Sequence, residues 1–414
     1  MWSMKILNVI LIMLFFFIQL PVAEASTVED DLKLQLVAIG NYLERQLSVS
    51  NTTLSTEEVR GVIINGVNWI VAAQEENGHF GYEYLPYEDE YLEDDNMVRQ
   101  GGALYALSEV YKKQTVKDPS IANTIERSIA YFESHSDARD EDVENFLCIK
   151  NSSFTTSCDL GSTALALLGI LNYVAALPEK TEQYNNLIEK YVTYLIKAKF
   201  PDRGFSNKYN TNSGFSKEES PFYNGEAMLT LVRYYQYKES DDVKKILQDS
   251  FEYLSAKEEY ETPLYLWIMA ALKDMQKLWP SDEYVEYAKD FTDFRLNQMQ
   301  YRHNINHNYC APVEGLASAY SILEGNGSAD YLLRLNNELE FWLKKSTRLQ
   351  LGDSDIYRVV KENNNLAIKK LPNSNLAKGG FLTGEDELTQ RIDFTQHCVS
   401  TYLQKLTDID GMSL

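Results

Sequence analysis

The sequence predicts an all-α protein, an (α/α)6 toroid in which six inner and six outer helices alternate. Three observations carry that prediction. Apolar residues recur with helical period in segments of about fifteen to twenty residues, and strand-like alternation is almost absent. The segments are of two alternating types, one rich in Ala, Gly, Ser and Leu, the other carrying Lys, Glu and Tyr on an exposed face. Small residues let helices approach closely, so the first type belongs to a buried inner layer and the second to an outer one. Six of each in strict alternation suit a closed ring, because each hairpin buries its face only against its neighbours.

The chain opens with Lys5, an apolar run from Ile6 to Leu20, and Pro21-Val22-Ala23-Glu24-Ala25. A charged start, an apolar stretch short for a bilayer and an Ala-x-Ala site predict a signal peptide over residues 1–25, cleaved before Ser26. The remaining 26–414 is expected to be a single toroid domain, secreted or periplasmic. Helices are expected at 29–47 and 56–75, followed by the turn Gly78-His79-Phe80-Gly81-Tyr82 and an acidic, aromatic loop from Glu83 to Asp94.

The inner helices are expected to begin near Asp95, Asp159, Ser220, Thr262, Ala311 and Asp393. The outer ones are expected at 56–75, 119–134, 182–198, 241–255, 282–300 and 328–345. Ser220-Pro221 and Thr262-Pro263 have the form of an N-cap followed by proline in the first turn. Asp95 also reads as a cap, and Asp393 with Gln396 as a capping box. In a strictly alternating ring all six inner N-termini open on one end. That end is the expected site, and the helix dipoles there favour an anionic group.

The formal net charge of -22 repels nucleic acid and anionic membranes, so neither is an expected partner; a glycan or other extracellular ligand and a monomeric chain are. Four cysteines are too few for a disulfide scaffold, yet two bridges are allowed. Cys148 and Cys158 flank a polar loop and are expected to pair.

The turns Gln74-Glu75-Glu76-Asn77-Gly78-His79-Phe80, Lys199-Phe200-Pro201-Asp202-Arg203-Gly204-Phe205 and Gly379-Gly380-Phe381 resemble the repeat turns of the terpenoid-cyclase and protein-prenyltransferase toroids. The likeness covers most of the chain as repeat layout. Phe stands where the cyclase turn has Trp, and no Asp-rich cyclase motif is present. Asn308-Tyr309-Cys310 falls where prenyltransferase β-subunits carry the Asp-x-Cys of a zinc site, and Asp393 to His397 resembles the stretch that supplies the zinc histidine, with His397 one place later. That resemblance implies zinc held by Cys310, His397 and Cys398 as an alternative to a Cys310–Cys398 disulfide or free thiols; no other cofactor is expected. The layout is also similar to that of secreted α/α-barrel enzymes acting on polysaccharides, which implies hydrolase, lyase or epimerase chemistry, on uronate-containing glycans among others.

Candidate catalytic groups are carboxylates and a histidine on small-residue helices. Glu226 and Glu314 occupy equivalent places in two inner helices, and two carboxylates across one cavity suit glycosidase chemistry. His397 lies one turn after Asp393, so a carboxylate-held base is one reading and a structural histidine the other. Tyr223 or Tyr105 could serve as acid. Arg99 on an inner helix wants a carboxylate, Asp94 or Glu226, or an anionic ligand. Asp95, Asn96, Gln396, Asn308 and Tyr105 complete the expected substrate contacts. The leading reading is therefore a carbohydrate-active enzyme; a non-catalytic toroid that binds glycan or protein, and a zinc-binding prenyltransferase-like protein, are the alternatives.

Overall fold

A computed structural model describes residues 25–47, 53–138, 146–152, 155–303, 307–362, 365–385 and 387–414. The expected leader, apart from Ala25, lies outside these residues. After α1 (Ala25–Leu47) come the outer helix α2 (Thr56–Ala72) and the inner helix α3 (Met97–Lys113). The alternation continues with α4 (Pro119–Ser134), α5 (Leu160–Ala176), α6 (Thr181–Ala198), α7 (Pro221–Tyr237), α8 (Asp241–Ser255), α9 (Tyr265–Leu278), α10 (Asp282–Gln300), α11 (Cys310–Leu323) and α12 (Ala329–Ser346). A single short turn of helix, α13 (Ser374–Ala377), precedes the last inner helix, α14 (Ile392–Gln404).

Each inner helix packs on the next in the order α3, α5, α7, α9, α11, α14, and α14 returns to α3. The ring is closed, and the toroid expected from the sequence is the observed fold. Helix α1 stands outside the twelve and packs on the hairpin formed by Tyr357–Glu362 and Asn365–Lys370. That hairpin and three smaller sheets differ from the expectation of almost no strand. Most of the strands are two or three residues long, too short for a period-two pattern to show, and they pair backbone groups of the loops above the inner helices. One sheet joins the first unit to the last: Glu83 pairs with Arg391 and Tyr84 with Gln390.

The three resembling turns are equivalent in structure. Each returns the chain from an outer helix through an isolated bridge, Gln74 to Phe80, Lys199 to Phe205 and Gln350 to Phe381. Each buried Phe amide then donates to a side chain on the following inner helix: Phe80 to Gln100 (2.9 Å), Phe205 to Asn224 (2.8 Å) and Phe381 to Thr395 (3.1 Å). Ile149 makes the same bond to Thr163 at 3.0 Å. In all four cases the acceptor is the fourth residue of its helix.

Two expected caps move. Asn96, not Asp95, caps α3, accepting from the amides of Val98 and Arg99. Arg391 holds the cap position of α14, Asp393 lies inside the first turn, and no capping box with Gln396 forms. Ser220 does hold the cap position of α7, without a side-chain bond, whereas Thr262 opens a 3₁₀ turn that precedes α9. The expected Cys148–Cys158 bridge is present, and of the alternatives for Cys310 and Cys398 the structure has the disulfide.

Gly78 and Gly379 share φ of +93°, and a Cβ on either would lie 2.2 or 2.1 Å from a backbone oxygen of another outer helix, Arg127 of α4 or Asn65 of α2. Left-handed backbone and close approach coincide there, so only glycine is tolerated. Gly379→Ala is expected to destabilise the fold by about 1–3 kcal/mol or more; urea denaturation of the variant beside the parent protein measures this.

Candidate active site

All six inner helices contribute residues near their starts to a cavity of about 450 Å³. Asn96, Arg99, Tyr223, Glu226, Asp393, Gln396 and His397 all line it, together with Trp267, Thr262, Phe222 and Arg295. A depression of similar volume lies outside the ring between α10 and α12, around His303 and Glu338. The inner cavity is the candidate, because the buried acid–base groups converge there at helix starts.

Glu226 is the most perturbed carboxyl in the cavity. It is 3% exposed, its Oε2 has no hydrogen-bond partner, and burial alone pushes its pKa up to about 8. No opposite charge competes with that desolvation, so the acid is protonated at neutral pH. Gly161 on α5 makes the space: a Cβ there would lie 2.4 Å from Glu226 Oε2. Tyr223, one turn earlier on α7, is also pushed upward by burial, so its hydroxyl keeps its proton.

His397 does not pair with Asp393 as the spacing suggests. Its Nδ1 lies 2.8 Å from Glu314 Oε2, across the joint between α14 and α11, and its ring packs on Trp267. Glu314 is fully buried; burial raises its pKa, and the bond to His397 opposes that rise. With Nδ1 engaged by Glu314, Nε2 is the nitrogen left for a ligand.

Asp393 instead faces the rim and gathers two arginines. Arg391 reaches it through Nη2 (2.6 Å) and Nε (3.0 Å), and Arg99 through Nε at 2.7 Å. Arg99 thus pairs with Asp393, not with Asp94 or Glu226. Both guanidinium groups lie over the Tyr82 ring, at 5.3 and 5.2 Å.

Three expected contacts lie off the cavity wall. Asp95 pairs with His79 at 3.3 Å and accepts from Gln100, the residue that holds the Phe80 turn. Asn308 is buried and accepts from the Cys310 amide at 3.0 Å. Tyr105 is buried beneath, its ring 6.1 Å from Trp267, with its hydroxyl raised first by burial and then by Glu109 and Glu314. The zinc set is overturned: Cys310 and Cys398 are joined, so neither offers a thiolate.

Trp267 and Arg295 were not legible as site residues. Trp267 reads as core on an inner helix, and Arg295 as a solvated charge on a polar outer one. Below the cavity the ring is filled by ion pairs: Arg233 with Asp274, and Lys273 with Asp408 at 3.0 Å.

No protein-family model matches the chain, and no curated protein matches it in sequence. Solved structures do match in fold. An unsaturated glucuronyl hydrolase specific for heparin superposes with a TM-score of 0.59 at 11% identity, over 87% of this chain and 100% of its own. A family 76 glycoside hydrolase from a bovine Bacteroides thetaiotaomicron strain gives 0.59 at 9%, over 85% and 78%. The cellobiose 2-epimerase of Spirochaeta thermophila gives 0.57 at 10%, over 86% and 97%. The chain therefore shares the α/α-toroid architecture of these proteins.

Glu226 also sets a pH dependence of stability. Its folded pKa lies above the ordinary carboxyl value, so its favourable contribution is complete at acid pH and fades as pH rises from about 4 through about 8. Glu226→Gln removes the need to ionise a buried group. The variant is expected to melt above the parent protein at pH 9, with the difference gone below about pH 4; melting curves across that range check it.

Proposed function

We propose that this protein is a carbohydrate-active enzyme that cleaves a glycan in the toroid cavity by acid–base chemistry. The observation that carries the reading is Glu226, a buried, unpartnered carboxyl pushed up to about 8 in the wall of a polar cavity. A carboxylic acid that keeps its proton at neutral pH can donate it to a departing glycosidic oxygen. His397, held through Nδ1 by Glu314, is the matching base through Nε2. Acting on water it gives hydrolysis; acting on the carbon acid beside a uronate carboxyl it gives elimination. Tyr223, Gln396 and Asn96 supply hydrogen bonds to the sugar, Trp267 an apolar face, and the Arg99–Asp393–Arg391 cluster a polar rim. The similarity of the toroid to sugar-active enzymes supports this reading without naming the substrate.

The leader over residues 1–25 and the two disulfides support export, with residues 26–414 acting as a monomeric domain outside the cytoplasm. Among the described residues no helix is long and apolar enough to cross a membrane.

Glu226→Gln is expected to lower kcat roughly a hundredfold to ten-thousandfold while circular dichroism stays that of the parent, and His397→Ala to do the same. Because the acid must be protonated, the parent rate should fall as pH rises through about 8. Release of reducing ends from a panel of neutral and acidic polysaccharides, with ultraviolet absorbance to detect an unsaturated product, measures turnover and separates hydrolysis from elimination. Full activity in both variants would sink the assignment.

A further inference from the structure

The geometry points to Arg295 as the binding residue for an anionic group on the sugar, a uronate carboxylate or a sulfate ester. This rests on the reading of the cavity as a glycan site and goes beyond it by naming what the substrate carries. Arg295 belongs to α10, an outer helix, yet it lines the cavity beside the starts of α9 and α11. Its guanidinium lies over the Tyr265 ring, 5.6 Å from the centroid, and among the described residues its one hydrogen bond is to Gln298 on its own helix. Its Nε is buried without a partner.

The other cavity-side cations differ. Arg99 and Arg391 share Asp393, and Arg233 below is held by Asp274. Among the described residues no carboxylate lies within ion-pair distance of Arg295. Burial depresses its pKa and Arg302 adds to that, as expected for a cation short of counter-charge. A half-buried guanidinium in a cavity wall with no carboxylate in reach among the described residues is an incomplete ion pair, and a ligand can complete it. The planar fork matches carboxylate and sulfate oxygens and discriminates against a neutral hydroxymethyl group at the same place. The overall charge of -22 works against a polyanion, so capture of an acidic glycan depends on such a local contact.

The test uses the full mature chain carrying Glu226→Gln, so that bound sugar is not consumed. Calorimetric titration compares three oligosaccharides alike except at one residue: neutral, uronate-bearing and O-sulfated. At least one acidic ligand is expected to bind about tenfold or more tighter than the neutral one. Adding Arg295→Met should bring that ratio close to one. Arg295→Lys, which keeps the charge without the fork, should retain part of it and stands in if the Met variant fails to fold, with melting curves as the check. Preference for the uronate or for the sulfated ligand identifies the natural anion. Equal binding of neutral and acidic ligands, or a preference that survives Arg295→Met in a folded protein, overturns the inference. Acidic ligands bound through Arg295 but never turned over by the parent protein would leave this inference standing and remove the catalytic reading. Turnover of neutral glycan without any acidic preference would do the reverse.

Discussion

The bond from a backbone amide before the helix to the fourth residue of the inner helix fixes the start of four of the six inner helices and hence most of the mouth of the ring. Phe80, Phe205 and Phe381 are wholly buried, so an unsatisfied N–H at any of them would cost about 1–3 kcal/mol. Gln100, Asn224, Thr163 and Thr395 accept those bonds at equal helical depth, which keeps four inner helices in one register. The remaining two start differently. Helix α9 follows a 3₁₀ turn, and α11 is held by the Asn308 bond to Cys310 and by the disulfide to α14. Those exceptional starts supply Thr262, Trp267, Ala311 and Pro312 to the cavity wall.

Electrostatics inside the ring separate into three cases. Asp393 is bonded by two guanidinium groups, those of Arg99 and Arg391. Glu314 is as buried as Glu226 but is bonded to His397, so desolvation and pairing oppose each other. Glu226 has desolvation alone, and its pKa rises accordingly. One scaffold thus holds a carboxyl bonded to two arginines, a carboxyl bonded to an imidazole and a carboxyl without a partner on its Oε2. On the proposed reading, those differing environments serve proton transfer to a leaving group.

The toroid was legible because its signals are long: twelve periodic segments of two compositions leave few other architectures. Short-range details were less so. Asp95 and Asn96 are both good cap formers, and Asp95 is drawn away from the cap position by His79 of the preceding turn and by Gln100 of the helix itself. The partner of His397 was read locally as Asp393, four residues away. The true partner, Glu314, comes from a helix that the ring closure places alongside, and no spacing rule carries that information. Arg295 was invisible for a related reason, since the sequence of α10 gives its polarity but not which charged side chain turns inward.

Depth along the inner helices explains why residues so close in sequence behave differently. Asp393 is the second residue of α14 and His397 the sixth, so the two differ by about 6 Å along the axis at 1.5 Å per residue. The second position meets the loops and the arginines they carry, while the sixth meets other inner helices. Glu226 is likewise the sixth residue of α7, and Glu314 the fifth of α11. Glu226, Glu314 and His397 therefore sit at the buried level, where solvation is weakest, and the Arg99–Asp393–Arg391 cluster at the level above. The fold is shared with solved structures at 9–11% identity, and a fold does not fix chemistry; in this chain it is the residue types at the deep level that set what the cavity can do.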